Sequence, residues 1–371
     1  MSPQKGKHNE NCGRKYDQKM KPFLVYQYLL KNTDENNFKT ADDIIEHLEN
    51  QFEISAERRG IYRDIAEINK AILAVSEGIP LQEAEERIFE DEEEKVIKYD
   101  KSKKGFYVSR RDFEFYDIRI LAECVYSAKF LDESRAKHIL DAICSLANEE
   151  QAQIIKHDVN LIGRSRTLNK DVLQNIDIIS KATSKKINGE KHVPEKISFN
   201  YLSYTIDDVT SLKPRRKNQK YIVSPYHLVI DNGYYYLLCS AHGKKMTYRV
   251  DRMKNVELTG VPRTGAELFD NLDIKEYLRQ TFSMYDGGLE SVTIRFEPKL
   301  LDTMIDRIGN NYNAHYEKCD DKHYSVSTRI KISNQFYGWL LGFGNKAVLT
   351  SPPNIVSEFK NYVEQIRAEY E

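Results

Sequence analysis

Ser224-Pro225-Tyr226-His227-Leu228-Val229 opens a stretch that continues through Gly233-Tyr234-Tyr235-Tyr236-Leu237 to Tyr248-Arg249-Val250-Asp251-Arg252-Met253. β-Branched and aromatic residues crowd these runs, and Asp231-Asn232-Gly233 between the first two is a strong hairpin signal. Taken as strands, they put Tyr234, Tyr236 and Leu238 on one face and Tyr235, Leu237 and Cys239 on the other. On the last strand Arg249 and Asp251 share a face opposite Tyr248, Val250 and Arg252. An arginine so placed, with a tyrosine hydroxyl and a histidine nearby, makes a small cationic pocket able to stack. Guanidinium forks and aromatic rings suit phosphates and bases. For Arg252 a pair with Asp251, stitching strand to helix, is an equally good account.

Working outward, Ile197–Tyr204, Tyr221–Ile230, Tyr234–Ser240, Met246–Asp251 and Val256–Thr259 read as short strands in 195–259. Strands this closely spaced point to a small closed barrel, which leaves no exposed sheet edge. A short helix over Asp273–Thr281 leads to a last unit whose runs alternate as βαββαβα, the order of a ferredoxin-like α+β sandwich. On the N-terminal side, Phe113 to about Lys185 is mostly helical. Ile118, Leu121, Ala122, Val125 and Ala128 share one apolar face there, and Ile139, Ala142, Ile143 and Leu146 another. This segment is expected to be a helical bridge and a dimer surface.

Further upstream three short helices precede a hairpin. Thr40 with Asp43 three residues on makes a capping signal, and Ser55 is expected to cap the third helix. Val96–Tyr99 and Phe106–Val108 flank a Lys/Gly turn, so helix-turn-helix plus wing is the expected arrangement. A recognition helix needs side chains in its first turns that reach base edges and phosphates. Arg58, Arg59, Tyr62 and Arg63 meet that need, while Ile61 and Ile65 turn inward. Lys101, Lys103 and Lys104 at the hairpin tip suit phosphate contact, which carries no sequence information.

The third helix resembles those of the winged helices of bacterial repressors, with Arg59-Gly60-Ile61-Tyr62-Arg63-Asp64-Ile65 against a pattern near Arg-Thr-Val-x-Arg-Asp-Leu. Gly60 stands where Thr is usual. The stretch 224–253 resembles the WYL domain, an Sm-like, SH3-type barrel of bacterial transcriptional regulators; Tyr235-Tyr236-Leu237 takes the place of its Trp-Tyr-Leu. Phe336-Tyr337-Gly338-Trp339-Leu340-Leu341-Gly342-Phe343-Gly344 and Ser351-Pro352 are similar to the WCX-type extension that follows such domains. The resemblance implies a ligand pocket built from Ser224, His227, Tyr236, Arg249 and Arg252, with Tyr235 a packing residue.

Composition bounds these expectations. The chain has 371 residues and 56 Lys plus Arg against 57 Asp plus Glu, so overall basicity does not announce a nucleic-acid partner. Hydrophobic residues at 40% and charged residues at 30% fit a globular protein. Its 5 cysteines are scattered without zinc-ligand spacing. The polar N-terminus lacks the apolar run of a signal peptide, and no run approaches the roughly 20 apolar residues that span a bilayer. A cytoplasmic protein with reduced thiols is expected, with no membrane partner, no metal and no cofactor. There is no Gly-Lys-Ser/Thr phosphate loop, His-Glu-x-x-His or Gly-x-Ser-x-Gly, so no enzyme is expected. His8 with Cys12 is too sparse for a metal site, and Glu90–Glu94 is expected to be a solvated spacer.

The expected architecture is multidomain α+β: a flexible lead (1–20), a winged helix-turn-helix (21–110), a helical bridge (111–190), a WYL barrel (191–262), a linker helix (263–287) and a ferredoxin-like WCX domain (288–371). The expected function is a homodimeric, sequence-specific regulator that binds a double-stranded DNA operator and senses a nucleotide or oligonucleotide effector. A nucleic-acid-binding accessory subunit of a defence or repair system is the alternative.

Overall fold

The computed structural model describes residues 17–160, 166–216, 219–310 and 313–371. Most of the polar lead, with His8 and Cys12, lies outside the described residues. The chain divides into two units, 1–165 and 166–371.

In the first unit α1 (Lys21–Asn32), α2 (Ala41–Phe52), α3 (Arg58–Glu77) and α4 (Leu81–Glu90) precede the hairpin β1 (Ile97–Asp100) and β2 (Gly105–Val108). Then follow α5 (Phe115–Ser127), α6 (Glu133–Cys144) and α7 (Glu149–Asn160). Val25, Leu29, Ile44, Leu48, Ile61 and Ile65 come off the first three helices at helical spacing and close one core against Val96, Phe106 and Val108. Thr40 and Asp43 make a reciprocal capping box at the start of α2. Ser55 does not cap α3. The helix begins at Arg58, with Glu57 at its N-cap and no side-chain cap bond. The reason is Ile54, buried in the core, which holds the connection extended past Ser55 before the helix starts. Gly60 also has a local reason: a Cβ there would lie 3.2 Å from the Lys21 ammonium, which reaches over it to Asp64 at 3.1 Å.

A main-chain bridge joins Lys39, between α1 and α2, to Phe106 of β2, with N–H···O distances of 3.0 and 2.7 Å. The hairpin is thereby tied to the helices by backbone bonds as well as by its apolar face. The helices α5–α7 enclose a separate small core of Ile118, Ala122, Leu140 and Ile155.

The second unit starts with α8 (Val172–Thr183) and the short hairpin β3 (Lys186–Ile187) and β4 (Glu190–Lys191). The main sheet follows: β5 (Glu195–Thr205), β6 (Asp208–Pro214), β7 (Tyr221–Asp231), β8 (Tyr234–Ala241), β9 (Lys244–Arg249) and β10 (Met253–Pro262). Its antiparallel order is β10-β5-β7-β8-β9, with β6 paired to the far end of β5. Asn232 and Gly233 turn β7 into β8 with φ of 49° and 80°, matching the right-handed twist of a hairpin. The sheet is curled into an antiparallel half-barrel rather than the closed barrel expected. Among the described residues no ladder joins β9 to β10, because the turn Val250–Arg252 intervenes and β5 spends its C-terminal half on β6. Sequence reasoning missed β6, whose Asp208-Val209-Thr210-Ser211-Leu212-Lys213-Pro214 lacks apolar alternation.

After α9 (Ile274–Gln280) come β11 (Leu289–Phe296), α10 (Leu301–Ile308), β12 (His315–Lys318), β13 (Tyr324–Lys331), α11 (Asn334–Leu341), β14 (Ala347–Ser351) and α12 (Pro353–Ala368). The strands pair antiparallel in the order β12-β13-β11-β14. Ile294, Phe296, Met304, Phe336, Leu340 and Ile355 form the core beneath them, with Trp339 and Phe343 packed on it. The whole is a mixed α+β protein. Among the described residues no helix is long and apolar enough to cross a membrane.

Candidate nucleic-acid interfaces

In the first unit one face of α3 carries Arg58, Arg59, Tyr62 and Arg63, all exposed. They do not stand alike. Arg58 gives its guanidinium to Asp42 of α2, with Nε to Oδ1 at 2.7 Å, an exposed pair. Tyr62 leans on the hairpin, its ring 5.0 Å from Phe106 and 5.9 Å from Tyr99. The neighbouring Tyr99 hydroxyl, with burial adding to it, raises the Tyr62 pKa above the ordinary phenol value. Arg59 and Arg63 have no carboxylate partner among the described residues. Lys101, Lys103 and Lys104 are exposed at the turn. That turn is shaped by Asp100, whose Oδ1 accepts from the amides of Ser102 at 2.7 Å and Lys103 at 2.8 Å.

Asn69, which sequence reasoning passed over, sets the hairpin against α3. It is buried, and its amide donates to the Ile97 carbonyl at 2.9 Å and accepts from the Ile97 N–H at 2.7 Å. One side chain thus satisfies both polar groups of a strand residue. Its signal was available: an amide among Ile61, Ile65, Ile68 and Ile72 on an otherwise apolar face. The acidic run Glu90–Glu93 is exposed to solvent, with Glu94 half-buried, and three of its carboxylates are paired. Glu92 pairs with Lys95, Glu93 with Lys98 and Glu94 with Arg87.

In the half-barrel the pairing sets Val229 opposite Tyr236 opposite Arg249, His227 opposite Leu238, and Ser224 opposite Ser240. Directly paired residues share a face, so Ser224, His227, Tyr236 and Arg249 lie on one side of the sheet. That side is partly covered by the chain itself, and His227, Tyr236 and Arg249 keep partial exposure. Val229, Leu238, Phe269, Tyr277 and Met284 form a core there, against which Tyr226 and Tyr236 pack.

The Ser224 hydroxyl is buried and accepts from the Thr264 amide at 2.9 Å. His227 sits with its ring 6.0 Å from Phe269, and burial, with the positive Arg263 adding to it, lowers its pKa. Arg249 grips Asp251 with two bonds of 3.0 and 2.8 Å and lies 3.5 Å over the Tyr234 ring. Burial works to lower the Arg249 pKa, and the bonds to Asp251 outweigh it, so the guanidinium is held charged. The guanidinium partner of Asp251 is therefore Arg249, not Arg252.

Arg252 stands apart, half-buried in the turn after β9, with no ion pair among the described residues. Burial raises the pKa of the Tyr201 hydroxyl on β5, and the Arg249 N–H bonded to it and the Arg252 charge work against that rise. Two buried asparagines fix this turn: Asn169 donates to the carbonyls of Asp251 at 3.0 Å and Met253 at 2.7 Å, and Asn175 donates to Met253 at 2.8 Å. The arrangement can hold anions and stack planar groups. Among the described residues no cluster suited to a metal ion occurs.

A curled antiparallel sheet followed by a four-stranded α+β unit, both bearing arginine–tyrosine pairs or aromatic cores, defines the class to which the second unit belongs. Residues 195–258 match the WYL domain and residues 288–367 the WCX domain. The chain carries a WYL domain followed by a WCX domain. Among solved structures it is similar to proteasome accessory factor B/C (PafBC) of Arthrobacter aurescens, at 12% identity and a TM-score of 0.27. All of this chain is covered in that match, but only 52% of PafBC, so the chain spans about half the length of that relative. A CRISPR Cas-related protein is similar at 15% identity and a TM-score of 0.32, over 92% of this chain and 97% of that one. No curated protein matches the chain.

Proposed function

We propose that this protein is a sequence-specific DNA-binding transcriptional regulator of the cytoplasm, and that its half-barrel senses a nucleotide or short nucleic acid. The reading assigns it no reaction. α1–α3 with the hairpin serve as a winged helix-turn-helix, α3 entering the major groove and the lysine turn lying along phosphates. The observation that carries this is the state of Arg59 and Arg63: two exposed guanidinium groups on one helix face, without carboxylate partners among the described residues, beside a lysine turn docked through Asn69. A cationic face left uncompensated in a chain of net charge −1 is a local feature, not an average one.

The strand order of the last sheet suits a ferredoxin-like domain. Tyr116, Ile120 and Leu121 remain exposed on α5, which supports pairing of two chains through this helix. Two recognition helices then meet half-sites about one helical turn apart, or a multiple of it.

The test is selection of a duplex from a random pool, followed by gel-shift titration. Arg59→Ala and Arg63→Ala should each cost about 1–3 kcal/mol of affinity for the selected duplex, with fold and mass unchanged. Unchanged affinity in both variants overturns the assignment of α3. Length-dependent single-strand binding with no duplex preference replaces the regulator by an accessory subunit. Light scattering that returns one chain mass, with a single chain protecting the site, removes the dimer.

A further inference from the structure

In the first unit α1, α3, the segment that follows β2 and the turn after α6 enclose a cavity of about 240 Å³. Its apolar wall comes from Leu30 of α1, Ile72 of α3, Val96 just before β1 and Leu146 in the turn after α6. Tyr26 stands one turn before Leu30 and Ser76 one turn after Ile72, so helical spacing puts each pair on one face.

The polar lining is mostly cationic. Lys31, Arg110 and Arg111 meet a single carboxylate, Asp112, and these four make no ion pair among the described residues. Arg111 is the half-buried one, and it is only partly spent. Its Nη2 donates to the carbonyls of Leu30 at 2.6 Å and Thr33 at 2.8 Å, at the end of α1, where a cation is favoured. Both bonds leave from one nitrogen, so Nη1 and Nε have no partner among the described residues. The half-buried Tyr26 hydroxyl has none there either. Burial lowers the Arg111 pKa by more than the Asp34 charge and Tyr26 restore. An arginine stays protonated in proteins, so the shift measures a charge held away from water rather than a route to neutrality.

A hydrocarbon in this cavity would leave that charge unanswered, and an inorganic anion would leave the apolar wall against water. The volume lies below the roughly 300–1,000 Å³ of pockets for drug-sized ligands, which limits the occupant to one ring or a short chain. We propose that the cavity binds a small organic acid, with its carboxylate at Arg111 and its apolar body against Leu30, Ile72 and Val96. The carboxylate accepts from the donors that Arg111 and Tyr26 have left, and the exposed Lys31 and Arg110 add charge at the rim. Leu30 and Ile72 pack on the core that α1–α3 share with the hairpin, whereas α6 belongs to the core of α5–α7. An occupant therefore braces one core against the other. The site is independent of what α3 or the half-barrel contacts.

The experiment uses the full chain and para-fluorobenzoate, followed by fluorine NMR and calorimetry. Binding should be submillimolar, which a probe of about ten non-hydrogen atoms allows. para-Fluorobenzamide, similar in shape but uncharged, should bind about tenfold or more weakly. Arg111→Gln should lose about tenfold or more of the affinity for the acid. Because Arg111 also closes the end of α1, two variants keep it: Ser76→Trp and Ser145→Trp, at exposed positions of the lining, fill the cavity with an indole. Each should abolish binding while the circular dichroism of the free protein stays that of the parent. Saturating para-fluorobenzoate should raise the urea midpoint of the parent and leave that of Ser145→Trp in place. A parent chain that binds neither probe overturns the site, as does amide binding equal to that of the acid. Parent-like binding by both tryptophan variants overturns it as well. Competition by inorganic phosphate as strong as by unlabelled benzoate would overturn the part given to the apolar wall.

Discussion

The two units treat their arginines in parallel ways and in different solvent. In the first, Arg58 is matched to Asp42 on an exposed helix surface, and Arg59 and Arg63 beside it are left without a carboxylate. In the second, Arg249 is matched to a buried Asp251, and Arg252 is left over. The matched arginine in each unit is structural and the unmatched ones are available. What differs is the cost of breaking the match: an exposed pair is screened by water and contributes little, whereas a buried one leaves a charge without solvent or partner. Each unit also fixes its cationic element by buried asparagine amides on strand or turn backbone, Asn69 in one and Asn169 with Asn175 in the other.

The largest expected effect is on the buried pair. Asp251→Ala should destabilise the second unit by about 3 kcal/mol, toward the lower end for a stranded buried charge because the Arg249 side chain keeps some exposure. Urea unfolding followed by far-UV circular dichroism measures it. A change no larger than that of a surface substitution would erase the contrast between the units.

Asn69→Leu comes next. It leaves the Ile97 N–H and C=O without partners in an apolar setting and should cost about 2 kcal/mol, with hydrogen exchange at the hairpin rising before that of α1 and α2. Duplex affinity should fall with it, since the lysine turn loses its fixed position.

A smaller effect concerns pH. His227 is held below the ordinary imidazole value of 6.5, so the unfolded chain binds its proton more readily than the folded one. The stability it supports is complete above that value and is lost as pH falls through the lower, folded one. Because the ring is half-buried the loss should stay under about 1 kcal/mol. Denaturant midpoints of the parent and His227→Gln, compared across this range, should converge as pH falls.

Asp42→Ala is expected to do least to the fold. The unfolding midpoint should not move, because both partners face water, and duplex affinity should rise slightly as Arg58 is released and a negative charge leaves the surface. A clear loss of stability would make the exposed pair structural and put the two units on the same footing.

Periodicity and turn chemistry determined much of this protein from the sequence alone. The helices before the hairpin, the capping box at Thr40, the turn at Asn232-Gly233 and the order of elements after α9 are local patterns, written in neighbouring residues. The WYL motif likewise marked strands that do pair as read. Tertiary structure alone decided what packs against each side of those strands. Alternation places Tyr236 and Arg249 together, but only the return of the chain through Phe269, Tyr277 and Met284 builds the core on which Tyr236 packs. Charge compensation was equally out of reach: Arg249 and Arg252 are alike in a string of letters, and Asp251 lies next to one and two residues from the other. The end of β9 and the turn that follows gave the carboxylate to Arg249. β6 was hidden because its pairing with β5 rests on backbone bonds and not on apolar alternation. Partners distant in sequence leave no periodic trace, and burial, which sets the strength of every charge here, exists only once the chain has closed on itself.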